Sequence, residues 1–64
     1  MIVNTQKIEQ FLAEKGMTKT EFAARCGISR ANISMITRRG TCEPKTAGKL
    51  AAGLGVTVSE IASS

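Results

Sequence analysis

The spacing of apolar and small residues between Lys19 and Ile36 leaves this chain few ways to fold. Counting Lys19 as position one, Phe22 falls at four, Ala23 at five, Cys26 at eight and Gly27 at nine. Ile28 follows at ten, Ile33 at fifteen and Ile36 at eighteen. Phe22, Ala23 and Cys26 share one side of a helix, and Ile33 and Ile36 share one side of another. Thr18-Lys19-Thr20-Glu21 is a capping box, in which the Thr18 hydroxyl caps the N3 amide and Glu21 reaches back. Gly27 stands where a left-handed residue closes a helix without a Cβ penalty, and Ser29 is a good N-cap for the next one. Two short helices joined by a three-residue turn follow, with the small Ala23 allowing a close crossing. Ile28, apolar inside that turn, is expected to point into the core.

The rest of the chain reads as more short helices. Asn4 or Thr5 can cap a first helix with Ile8, Phe11 and Leu12 on one face, ended by Gly16. The stretch from Thr37 to Pro44 contains Gly40 and the only proline, and reads as a loop. Pro44 suits the first position of a fourth helix, with Glu43 as a weak N-cap and Ala47, Leu50, Ala51 and Leu54 inward. Gly48 and Gly53 are expected to weaken that helix and Gly55 to stop it. Thr57-Val58-Ser59-Glu60 is a second capping box, opening a short last helix that docks Val58 and Ile61. Only Val56-Thr57-Val58 alternates like a strand, and it is too short to count. The expectation is all-α, with five helices at about 5–15, 19–26, 30–38, 44–54 and 58–62, in a single domain over residues 1–64.

Sixty-four residues bury a small core and leave little stability for a deep catalytic cleft. The chain has no His, hence no general base with an ordinary pKa near neutrality. Its five carboxylates are scattered as caps or solvated positions, so no enzyme is expected. Cys26 and Cys42 are two thiols without a His to complete a zinc site, so neither metal nor cofactor is expected. No apolar run approaches the ~20 residues needed to cross a bilayer, and the start MIVNTQKIEQ lacks the pattern of a signal peptide. A cytoplasmic, nucleoid-associated protein with reduced cysteines is the expectation.

The net charge is +4, and its placement matters more than its size. No acidic residue lies between Glu21 and Glu43, and all four arginines (Arg25, Arg30, Arg38 and Arg39) fall in that gap. Such a patch concentrates and steers polyanions; the bland alternative is a solvated basic face. Trp and Tyr are absent, which removes the usual stacking residues for single-stranded nucleic acid.

Two short helices joined by a three-residue turn containing Gly make a helix-turn-helix, here over about residues 18–37. The first helix, the stretch MTKTEFAARCGISRANIS and the downstream EPKTAGKLAAGLGVTVSEI together resemble the Cro/phage-repressor-type (XRE-like) helix-turn-helix regulators. Lys19 stands where that family frequently has Gln, Phe22 where it has an apolar aliphatic, and Thr37 near a frequent Glu. The loop after the third helix is also longer than in the best-known phage members. The resemblance implies a transcriptional regulator, a small repressor acting on double-stranded DNA, with its third helix in the major groove. It also implies a homodimer on a palindromic site, with half-sites about one helical turn apart.

Taking about 100° per residue, Ala31, Ser34, Met35 and Arg38 lie opposite Ile33 and Ile36, with Arg30 and Asn32 on the flanks at the N-terminal end. Base reading is assigned to Arg30, Ala31, Asn32, Ser34 and Met35. A guanidinium fits guanine O6 and N7, an amide fits adenine, and apolar surface suits a thymine methyl; Arg30, Asn32 and Ser34 could instead meet a phosphate. Phosphate contacts are assigned to Thr18, Lys19, Ser29, Thr37, Arg38, Arg39, Lys45 and Thr46. Of these, Thr18 and Lys19 open a helix whose free amides favour an anion. The rival reading is a protein-interaction module of the same fold, an antitoxin or antirepressor holding a protein partner. RNA suits the motif less, because its major groove is too narrow for a helix. No small-molecule ligand and no membrane are expected as partners. A dimer could use Val56, Val58 and Ile61, residues that could equally be internal core.

Overall fold

The computed structural model describes residues 1–63, and its elements follow the caps. Helix α1 (Thr5–Lys15) opens on Asn4, whose side-chain oxygen accepts from Lys7 N–H at 3.1 Å. Helix α2 (Lys19–Cys26) opens on the capping box: Thr18 Oγ1 accepts from Glu21 N–H at 3.1 Å, and a Glu21 carboxylate oxygen accepts from Thr18 N–H at 3.3 Å. Gly27 closes it at φ +69°, with Gly27 N–H donating to Ala24 O and Ile28 N–H to Ala23 O. These two bonds form a Schellman turn, which carries the chain straight to the next cap. Helix α3 (Arg30–Arg39) starts at Ser29, whose Oγ accepts from Asn32 N–H at 3.2 Å. Helix α4 (Pro44–Leu54) has Pro in its first turn, and Glu43 makes no side-chain capping bond. Helix α5 (Val58–Ile61) is one turn long, and a Glu60 carboxylate oxygen accepts from Thr57 N–H at 3.0 Å.

All five expected helices form, with two boundary differences. α3 continues one residue further, to Arg39, and α5 stops one earlier, at Ile61. Arg39 is therefore helical as well, and the loop expected from Thr37 to Pro44 begins only at Gly40. The reason is local: Gly40, at φ +74°, supplies the left-handed closure and its N–H donates to Ile36 O at 2.7 Å, while Thr37 Oγ1 donates to Ile33 O (3.0 Å) and Ser34 O (3.1 Å). Two arginines in the last turn also suit the negative end of the helix dipole.

The core is apolar throughout. Phe22, Ile8, Ile33, Leu50, Leu54 and Ile61 are its largest fully buried side chains, and among the described residues no polar or charged residue is buried. At roughly 1.5–3 kcal/mol for each large side chain taken out of water, these six dominate the stability. α2 is the hub, packing on both α3 and α4, while α5 bridges α4 and α1. Ile28 and Phe11 are half-buried against the core. Gly53, expected to weaken α4, is instead a buried contact point: a Cβ there would collide with Cys26 Sγ and lie 3.4 Å from Phe22 Cε1. Gly48 has open space around it.

One feature has no precursor in the sequence pattern. Residues 1–4 run extended between the segment after α3 and the segment after α5, with isolated antiparallel bridges Ile2–Thr41 and Val3–Ala62. Two-residue pairings are too short for any alternation to signal them.

Candidate nucleic-acid interface

The exposed side of α3 follows from which side is buried. Ile33 and Ile36 are 0% and 9% exposed. Helical geometry then sends Ala31, Met35 and Arg38 outward, and all three are exposed. Ser34 is half-buried at the margin, while Arg30 and Asn32 are exposed in the first turn. Met35, at 39% exposure, is one of only three large apolar side chains open to solvent among the described residues, with Met1 and Ile2. α3 thus presents arginine at both ends and small or flexible apolar surface between them.

The electrostatics are one-sided. Among the described residues none of the four arginine side chains makes an ion pair or an intramolecular hydrogen bond. Their guanidinium donors, which fit carboxylate and phosphate alike, are therefore uncommitted. Lys19 is different: its Nζ lies 3.3 Å from Glu9 Oε1 on α1. That pair joins two helices, and nothing in the local pattern announces it. Both partners are substantially exposed, so the pair holds Lys19 only loosely.

The hydroxyls divide by what they already do. Ser29 Oγ accepts from its helix and retains its proton for a donor bond outward. Thr18 Oγ1 donates to Glu21 at 3.2 Å, and Thr37 Oγ1 donates to its own helix, so each must turn its proton to meet an anion. Lys45 is exposed and Thr46 half-buried in the first turn of α4. Thr18 and Ser29 are the N-caps of α2 and α3, two helix starts that carry partial positive charge.

At the C-terminal end of α3 lies an open groove of about 400 Å³, lined in part by Met35, Ile36, Arg39, Thr41 and Met1. Thr41 and the extended residues beside it were not among the expected site residues. Their approach depends on chain segments far apart in sequence. Cys42 also lines this groove, and burial pushes its thiol up, Glu43 adding to the shift while the amino terminus opposes it. Burial likewise raises Cys26, against the lowering effect of its backbone bond to Gly53. Both thiols are therefore poor sources of thiolate. Ile61 is fully buried and serves the chain's own core, while Val56 and Val58 are half-buried. Of the three candidate dimer residues, Ile61 presents nothing to a partner. No helix among the described residues is long and apolar enough to cross a membrane.

Comparison with known proteins gives a consistent picture. A family model described as Helix-turn-helix matches residues 8–61, from the second turn of α1 to the end of α5. The chain is similar to the wild-type restriction-modification controller protein C.Esp1396I, with 30% identity and a TM-score of 0.75 over 83% of this chain and 70% of that one. It is also similar to a hypothetical transcription factor from Neisseria, with 25% identity and a TM-score of 0.76 over 94% of this chain and 78% of that one. No curated protein matches its sequence.

Proposed function

The chain belongs to the Cro/phage-repressor-type helix-turn-helix family of DNA-binding transcriptional regulators, and from that premise we propose that it is a small sequence-specific repressor. In this reading residues 1–64 act as one DNA-binding unit, with α3 in the major groove and the first turns of α2 and α4 on the flanking phosphates. The observation that carries it is the set of uncommitted guanidinium groups on and around α3, in a stretch with no acid between Glu21 and Glu43.

Arg30 at the start of α3 reads guanine through its fork of donors, Asn32 reads adenine, and Ala31 and Met35 meet a thymine methyl. Ser34, at the margin, bonds a base or a phosphate. Thr18, Lys19, Ser29, Thr37, Arg38, Arg39, Lys45 and Thr46 set the register by gripping the backbone. Two copies occupy two half-sites. Repression then needs only occupancy, since a chain seated over a promoter excludes the polymerase.

Selection of bound duplexes from a random pool tests the reading, because it reports specificity and symmetry together. With about five phosphate contacts, log affinity should fall against log salt with a slope of roughly −4 to −5. A slope near zero, or no enriched sequence, overturns the proposal and favours a protein partner for the same surface.

A further inference from the structure

α3 is held unevenly. Its principal helix partner is α2, and its last turn leads directly into the Gly40–Cys42 segment. That segment is fastened by residues 1–3. Val3 N–H donates to Gly40 O at 2.9 Å, and Cys42 N–H donates to Met1 O at 2.9 Å, the two bonds flanking the Ile2–Thr41 bridge, while the Met1 amino group returns a bond to Cys42 O at 2.9 Å. The same short strand is tied on its other edge to the end of the chain: Asn4 N–H donates to Ile61 O at 2.7 Å and Ser63 N–H to Ile2 O at 2.9 Å. Val3 is itself 3% exposed and joins the core. Gly40, at φ +74°, caps α3 through its N–H to Ile36 O at 2.7 Å. It is therefore both the end of the helix and the start of the pairing.

We propose that Val3, through the strand of residues 1–3, is a positioning residue for DNA binding, locking the C-terminal turn of α3 so that Arg38 and Arg39 meet the backbone in register with Arg30. The inference rests on the DNA reading above. Its physical reason is that a helix packed firmly on one neighbour can still pivot about it. The bonds from residues 1–3 at the far end remove that freedom before DNA arrives, which lowers the ordering cost of binding. The arginine side chains need only a small pivot to lose a bidentate geometry.

The alternating edges of the strand make the test selective. Val3→Pro removes the bond to Gly40 and also changes one core side chain, while leaving both bonds to the chain end in place. Ser63→Pro removes one bond on the opposite edge and leaves those to Gly40 and Cys42. Amide exchange of the free protein should rise at Arg38, Arg39 and Gly40 in Val3→Pro and stay at the wild-type level there in Ser63→Pro. Duplex affinity, measured on the selected site below the melting temperature of each variant, should fall about tenfold in Val3→Pro, the scale of one lost contact. It should change less than threefold in Ser63→Pro. Cys42→Pro, measured beside it, removes the bond from Cys42 N–H to Met1 O without touching the Val3 side chain and leaves the bond from the Met1 amino group to Cys42 O. The same two readouts apply, and they decide the matter if Val3→Pro does not fold. Unchanged exchange at Arg38–Gly40 in the folded variant overturns the proposal, as does raised exchange with unchanged affinity. A wild-type chain that binds no duplex at low salt overturns the DNA reading instead, and exchange alone then decides whether the strand holds α3.

Discussion

Gly53 on α4 faces Cys26 on α2 so closely that the added carbon of an alanine would collide with the sulfur. A glycine inside a helix ordinarily costs about 1 kcal/mol relative to alanine, so Gly53→Ala would be stabilising if helix propensity decided. Packing decides instead: the backbone of Cys26 and the ring of Phe22 wall the same space at 3.4 Å. Gly53→Ala should lower stability by about 1–3 kcal/mol in urea unfolding. Gly48→Ala, with nothing within 4 Å, should raise it by up to about 1 kcal/mol. Combining Gly53→Ala with Cys26→Ala should recover part of the loss, and a loss that persists in full would point to the backbone rather than the sulfur.

Ser29 separates stability from binding. Its Oγ caps α3, and its proton is free to meet a phosphate. Asp also caps well and favours the positive end of the helix dipole, but in the proposed complex it would set a carboxylate against the DNA backbone. Ser29→Asp should melt within about 0.5 kcal/mol of wild type and bind its duplex at least about tenfold more weakly. Ser29→Ala should lose about 1 kcal/mol of stability. Equal affinity in Ser29→Asp would remove Ser29 from the interface.

Arg30 and Lys45 should fail in different ways. Arg30→Ala should relax the preference at a single base position, a loss of about 1–3 kcal/mol confined to the preferred base. Lys45→Ala should weaken all duplexes alike and make the salt slope shallower by about one. Affinities for a panel of single-base variants at several salt concentrations distinguish the two. A uniform loss from Arg30→Ala would make it a phosphate contact.

The ion pair between Lys19 and Glu9 offers a gain of function. Removing Glu9 subtracts an acid beside a residue assigned to phosphate, at a stability cost of at most about 1 kcal/mol for so exposed a pair. Glu9→Gln should therefore bind the duplex more tightly than wild type at low salt, with the difference shrinking as salt screens it. Weaker binding would show that Glu9 orients Lys19 instead of competing for it.

Burial raises the Cys26 thiol above its ordinary value of 9.0. A raised acid holds its proton in the folded chain at a pH where the unfolded chain has lost it, so stability falls as pH rises from about 9 through the folded value. Well below pH 9 both states keep the proton and the group contributes no pH dependence. Urea unfolding between pH 8 and 11 should show this decline, and it should be less steep in Cys26→Ala. An identical slope in that variant would assign the decline to other groups.

What local sequence dictates is visible in every helix. The helix starts and the turn between α2 and α3 are specified by Thr18, Gly27 and Ser29, because capping bonds and left-handed glycines act within four residues of one another; Gly40, read as part of a loop, closes α3 in the same left-handed way. The inward sides of α2, α3 and α4 follow from apolar periodicity, and the inward Ile33 and Ile36 fix the outward face of α3. The exposed face that carries Ala31, Met35 and Arg38 was legible for that reason. Tertiary structure alone decided the rest. The meaning of Gly53 depends on a sulfur in another helix, and the availability of Lys19 on a carboxylate in α1. Ile61 withdraws into the core, and the first residues tie to Gly40 on one edge and to Ile61 and Ser63 on the other. Each of these is a contact between segments distant in sequence, where no period or spacing can register. Packing geometry, rather than propensity, sets its sign.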